Sequence, residues 1–197
     1  MSSDPSPSGF SGADGDTLIP LILYACPTGP LAQQLEVYFE RSRVRYGPNK
    51  AHAYMPHCTL TGFFHDGAVT ISAYLRAIDA ALNQLEPPPR PVARVSAMAF
   101  HADWHGLVVE APWLKRLTAQ FAELAPSPPN EALRLKDWLH VSLAYGFDPA
   151  QNNDLRELAQ ALVDPETPAG WELRFYQRQS AWICQQSWTL EDTFQQQ

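Results

Sequence analysis

Leu18-Ile19-Pro20-Leu21-Ile22-Leu23-Tyr24-Ala25-Cys26 is an unbroken apolar run of strand length. Thr28, with Pro30 just inside, marks a helix start. Leu31, Leu35, Tyr38 and Phe39 then share one helical face until Gly47-Pro48 stops it. A polar loop leads to a predicted strand over 57–64, and His65-Asp66-Gly67 reads as the turn after it. Ile71, Tyr74, Leu75, Ile78, Leu82 and Leu85 mark a second amphipathic helix, ended by Pro87-Pro88-Pro89, and Val92 to Phe100 reads as a strand.

The order then repeats. Gly106 to Glu110 is a strand, and Pro112 opens a helix with Leu114, Leu117, Phe121 and Leu124 on its buried face before Pro126 closes it. A Pro-rich loop precedes a strand over 139–146. Asp148-Pro149-Ala150-Gln151 has the form of a capping box, and Leu155, Leu158 and Leu162 supply the stripe behind it. Trp171 to Phe175 alternates as a strand, and Ser180 to Cys184 and Ser187 to Leu190 predict two more. The result is β-α-β-α-β twice, with Pro30 matched to Pro112 and His57 to His140 at offsets of 82 and 83 residues. Solenoid arrays repeat every ~20–50 residues, so a spacing this long predicts two lobes, about 18–100 and 105–190, related by a pseudo-two-fold.

The two copies carry the chemistry. Pro56-His57-Cys58-Thr59-Leu60-Thr61-Gly62-Phe63-Phe64 and Leu139-His140-Val141-Ser142-Leu143-Ala144-Tyr145-Gly146-Phe147 both read His, apolar, hydroxyl, Leu. In a strand, alternate side chains share a face, so His57 goes with Thr59 and His140 with Ser142, while the apolar residues fill the reverse. Two imidazoles and two hydroxyls converging on one cleft form a phosphate-sized polar site.

Composition narrows the partners. The formal charge of −7 argues against long nucleic-acid tracts, whose binding needs basic surface, but leaves room for a small anion. Residues 1–16 are Ser, Pro, Gly and Asp with little to bury and predict a disordered tail before a single domain over 17–197. No stretch approaches the ~20 apolar residues of a membrane span, and the N-terminus has no signal-peptide pattern, which predicts a cytoplasmic protein. Cys26, Cys58 and Cys184 are odd in number and set in apolar runs, as reduced core thiols are.

The paired motifs, in these contexts and at this separation, resemble those of the two-histidine (2H) phosphoesterase superfamily. The closest likeness is to the phosphoesterase domain of the T-cell ubiquitin ligand (suppressor of T-cell receptor signalling) proteins. It covers most of residues 18–190 by organisation and about eighteen positions around the motifs by residue. Nothing resembles the ubiquitin-binding, SH3 or phosphatase modules that accompany that domain in animals. The resemblance implies a bilobal α+β fold, two antiparallel sheets around a central groove with outer helices. It also implies metal-independent, cofactor-free chemistry on 2′,3′-cyclic phosphates of small nucleotides or RNA ends. His57 and His140 would be the acid/base pair, and Thr59 and Ser142 the phosphate-binding hydroxyls.

Histidine titrates near neutrality, so one ring can take a proton from water while the other gives one to the leaving oxygen; the sequence leaves open which does which. Tyr54, Trp104 and Trp138 flank the motifs, and Tyr54 and Trp138 are the candidates for stacking on a nucleobase. Arg134 and Lys136 would add positive potential. The pairs His52/His57 and His101/His105 invite a metal reading, but Pro56 breaks the first and the second reads as a turn, so no metal site is assigned. A 2′-5′ RNA ligase, an oligonucleotide-trimming exonuclease and a non-catalytic phospho-ligand-binding module are the alternatives.

Overall fold

A computed structural model of the chain describes residues 18–89, 91–130 and 132–190, so the expected tail lies outside the described residues. Within them the chain is α+β, with eight strands in one antiparallel sheet and four α-helices. In chain order these are β1 (Leu18–Thr28), α1 (Pro30–Tyr46), β2 (Cys58–Thr59), β3 (Phe64–Gly67), α2 (Ile71–Gln84), β4 (Arg94–Phe100), β5 (Trp104–Glu110), α3 (Pro112–Leu124), β6 (His140–Tyr145), α4 (Asn152–Leu162), β7 (Gly170–Arg178) and β8 (Trp182–Thr189). The strand order is β4-β5-β6-β2-β1-β7-β8, with β3 also paired to β1. Two separate sheets were expected; one continuous sheet is found, because β2 pairs with β1 on one side and, through Cys58 and Val141, with β6 on the other. Outward from that contact one side runs β6, β5 and β4, and the other β2, β1, β7 and β8.

The sheet has a covered face and an open one. Leu21, Leu23 and Ala25 of β1, Cys58, Val141 and Leu143, and Leu173 and Phe175 of β7 join side chains from all four helices in the main core. Alternation sends Ile22, Tyr24 and Cys26 the other way, where with Tyr176 they form a small cluster without any helix. No helix among the described residues is long and apolar enough to cross a membrane.

Several local expectations fail for identifiable reasons. The strand predicted over 57–64 is split in two. Between the Tyr24–Thr59 and Leu21–Phe64 pairs, two residues of β1 oppose four of the other segment. There Leu23 gives its N–H to the Thr61 hydroxyl (3.1 Å) rather than to a carbonyl, and the freed backbone turns to another partner: Gly62 N–H donates to Arg134 O (2.6 Å) and Lys136 N–H to Leu60 O (3.0 Å). This is a bulge, not a strand end. His65-Asp66-Gly67, predicted as a turn, is part of β3, and the two short strands predicted after Ser180 are the single β8, whose pairing shifts register between Phe175 and Tyr176 of β7.

Helix starts differ too. Thr28 closes β1, and α1 begins after Gly29, at φ 71, with no side-chain cap. Asp148 does cap, accepting from Ala150 N–H (2.9 Å), but Gln151 donates to the Tyr46 carbonyl at the end of α1 (3.0 Å) instead of closing a box. Cys26 and Cys58 are buried free thiols, whereas Cys184, on the sheet edge, is exposed.

Asp66 explains why a charged residue is tolerated in β3. Buried there, it accepts from the Tyr74 hydroxyl (2.6 Å) and from Gly67 N–H (2.7 Å). Tyr74→Phe leaves half of that carboxylate without its donor, so a loss of about 1.5–3 kcal/mol is expected in urea unfolding with an unchanged slope. A loss below about 0.5 kcal/mol would mean the hydroxyl bond carries no net stability.

Candidate functional site

The Cys58–Val141 pair fixes the register of β2 against β6. In an antiparallel pair, the residue before one member neighbours the residue after the other, on the same face. With Cys58 and Val141 turned into the core, His57 stands beside Ser142 and Thr59 beside His140 on the open face. All four line one groove of about 560 Å³, and His57, Thr59 and His140 continue into an adjoining arm of about 500 Å³. The structure thus brings together the four residues singled out from the motifs.

Each ring is set differently. His57 packs on Tyr24 of β1 (centroids 4.1 Å) and near Tyr54 (5.5 Å), and its Nδ1 donates to the Met55 carbonyl at 2.8 Å. A carbonyl only accepts, so Nδ1 carries the hydrogen and a neutral His57 keeps its lone pair on Nε2. His140 lies between Trp138 (4.2 Å) and the edge of Trp104 (5.1 Å, 88°). Its Nδ1 forms no well-directed hydrogen bond, although the Trp138 carbonyl, two residues back like that of Met55, acts on it in the same direction.

Burial lowers the pKa of both. For His57 it outweighs the bond to Met55, and the charge of His140 pushes the same way as burial. For His140 it outweighs the pull of the Trp138 carbonyl, and Lys136 adds to the lowering. Both rings are therefore biased to the neutral form.

Ser142 is held by a residue far from it in sequence. Trp104 donates its indole N–H to Ser142 Oγ at 3.0 Å. Its ring can cross the sheet there because Gly106, paired with Ser142, has no side chain; a Cβ would stand 2.2 Å from the ring. Since the indole N–H can only donate, the serine oxygen accepts and its own hydrogen is left for another acceptor.

Tyr54 lines both arms, and Trp138, half exposed, lines the second. Tyr24, Tyr145 and Lys50 were not singled out from sequence. The alternation of the first apolar run could have placed Tyr24 on the open face, but nothing local marks Lys50, which lies against Gly146 from a short 3-10 helix over Lys50–Ala53. Two of the remaining histidines, His52 and His105, are structural. His52 bonds Ser42 Oγ (2.9 Å) and accepts from Asn49 N–H (3.1 Å). Buried His105 sits within β5, not in a turn, and meets Asn152 Oδ1 at 2.7 Å. Among the described residues no three His, Cys, Asp or Glu side chains gather as a metal site would need.

No family model matches the chain. It is 31% identical to the ecdysteroid-phosphate phosphatase of Bombyx mori over 173 aligned residues, which cover 85% of this chain and 26% of that protein. It is 32% identical to the Drosophila melanogaster protein of the same name (80% and 26% covered) and 32% identical to the human ubiquitin-associated and SH3 domain-containing protein B (80% and 24%). The chain spans about a quarter of the length of these relatives. Most of it is thus homologous to one portion of the ecdysteroid-phosphate phosphatases and the ubiquitin-associated and SH3 domain-containing proteins, in agreement with the two-histidine phosphoesterase likeness of its motifs.

Proposed function

We propose that the chain is a phosphoesterase that opens 2′,3′-cyclic phosphates between His57 and His140. The observation that carries this reading is the Cys58–Val141 register, which sets two His-x-hydroxyl pairs head to tail on one face of the sheet. The mirrored strand order about that seam supports two related halves, and the relatives' names speak of phosphate esters. Buried thiols at Cys26 and Cys58, each pushed up to about 12 by burial, suit a reducing compartment such as the cytoplasm.

His57, whose neutral tautomer has its lone pair on Nε2, takes the proton from a water whose oxygen bonds to phosphorus. As the P–O bond to the 2′ or 3′ oxygen breaks, His140 gives that oxygen a proton. One water is consumed, and a second proton exchange with solvent resets both rings. Thr59 and the hydrogen left free on Ser142 donate to the equatorial phosphate oxygens, where negative charge is held. Each proton is handled by an imidazole, so this route asks for no metal.

The test is turnover of 2′,3′-cyclic mononucleotides, an RNA end bearing a cyclic phosphate, and 4-nitrophenyl phosphate, all in EDTA. Ring opening at an undiminished rate is expected. Cleavage of the monoester alone would replace the cyclic-phosphate reading with a phosphatase one, and no turnover at all would leave a binding module.

The pH dependence follows from the lowered pKa values. The acid, His140, must be protonated, and its protonated fraction falls as pH rises through a pKa below the ordinary 6.5. The alkaline limb of kcat/KM is therefore expected below pH 6.5. That of kcat should lie higher, because bound phosphate favours the imidazolium. A kcat/KM limb above pH 7 would contradict the assignment.

A further inference from the structure

The groove has two arms of unequal charge. One holds Lys50 and Asp103 together, whereas the other holds Arg134 and Lys136 with no carboxylate in its lining. Neither of those two cations is in a salt bridge among the described residues. In a chain of net charge −7, two cations beside the histidines with no carboxylate partner among the described residues need an explanation.

Their placement is built, not incidental. Residues 134–136 run antiparallel to 60–62, just past the first motif. They are joined by the Thr61–Leu135 bridge and by the two backbone bonds at Gly62 and Lys136. In such an extended stretch Arg134 and Lys136 share a face and Leu135 takes the other. The guanidinium rests against Gly62, where a Cβ would lie 3.3 Å from both Nε and Nη2. The site is thus anchored to the same segment that carries His57 and Thr59.

We propose that this arm binds a second, non-reacting phosphate, so that the substrate class is a nucleotide with a cyclic phosphate at its 2′,3′ oxygens and a phosphate on its 5′ oxygen. Arg134 supplies a fork of N–H donors and Lys136 a point charge. The inference rests on the phosphoesterase reading for the first phosphate only.

Calorimetry on the full chain with product-like ligands tests it without requiring turnover. A nucleoside 3′,5′-bisphosphate is expected to bind about tenfold more tightly than the 3′-monophosphate. That advantage should shrink between roughly 50 and 500 mM salt and vanish in Arg134→Ala and Lys136→Ala, with Arg134→Lys restoring part of it. A dinucleotide ending in a 3′-phosphate distinguishes the sources: equal advantage there assigns the arm to an oligonucleotide end, and none assigns it to a free nucleotide. Equal affinities for the mono- and bisphosphate, or an advantage unchanged in both alanine variants, would overturn the proposal. If the preference holds while no cyclic phosphate is opened, the phosphoesterase reading fails and the anion site stands.

Discussion

Alanine at either His57 or His140 is expected to lower kcat/KM for cyclic-phosphate opening by about 10²–10⁴-fold. The double variant should cost little more than the worse single one, because in the proposed mechanism the two rings serve one displacement and a half-complete pair already fails. The loss should be chemical rather than structural. Both rings stand on the open face, opposite the core that Cys58, Val141 and Leu143 help to form, so circular dichroism and urea midpoints should stay near those of the wild type. The measurement is steady-state hydrolysis of a 2′,3′-cyclic mononucleotide in EDTA. A single variant that keeps more than about a tenth of the wild-type rate would remove that ring from proton transfer.

Gly106→Ala is expected to injure both stability and the site. The new methyl would stand 2.2 Å from the Trp104 ring and 2.6 Å from the Val141 carbonyl oxygen. The ring can swing aside, but the carbonyl belongs to the β5–β6 ladder and cannot. An overpacked backbone contact of this kind costs about 1–3 kcal/mol, and displacing Trp104 forfeits its bond to Ser142, worth about 0.5–1.5 kcal/mol net. Since Trp104 also abuts the His140 ring, activity should fall with stability. Trp104→Phe separates the two effects: it keeps a ring over Gly106 but lacks the N–H, so it should lose activity with a smaller shift in the urea midpoint. A Gly106→Ala midpoint within about 0.5 kcal/mol of wild type would show that the strand slips to make room.

What the sequence made legible was whatever depends on period. The apolar stripes located all four helices, and alternation put the His and the hydroxyl of each motif on one face of its strand. What it hid depends on partners distant in the chain. β3 read as a turn because Asp66 and Gly67 are poor strand formers, yet Tyr74 from α2 satisfies the carboxylate. The predicted strand over 57–64 broke because Thr61 offers Leu23 a hydroxyl while its neighbours Leu60 and Gly62 turn a carbonyl and an N–H to residues 134–136, which lie in a Pro-rich loop with no periodic signal. A single sheet replaced the expected pair because Cys58 pairs with Val141 and so joins β2 to β6, and no periodicity encodes a contact between residues so far apart.

That bridge has a mechanical consequence. A sheet eight strands wide is narrowest at its middle, where β2 contributes two residues and meets β6 through one. Stiffness in a ladder rises with the number of rungs, so within the sheet this waist is the weaker join and the β1–β7 flank, paired over eight positions, the stiffer one, while the Thr61–Leu135 bridge braces the waist from outside the named strands. The waist is also where His57 and His140 stand, diagonal to one another across the β2–β6 seam. Under the proposed reading, the gap that would take a phosphate is therefore framed by the fewest rungs of the sheet, and a shift of one flank against the other would change its width there.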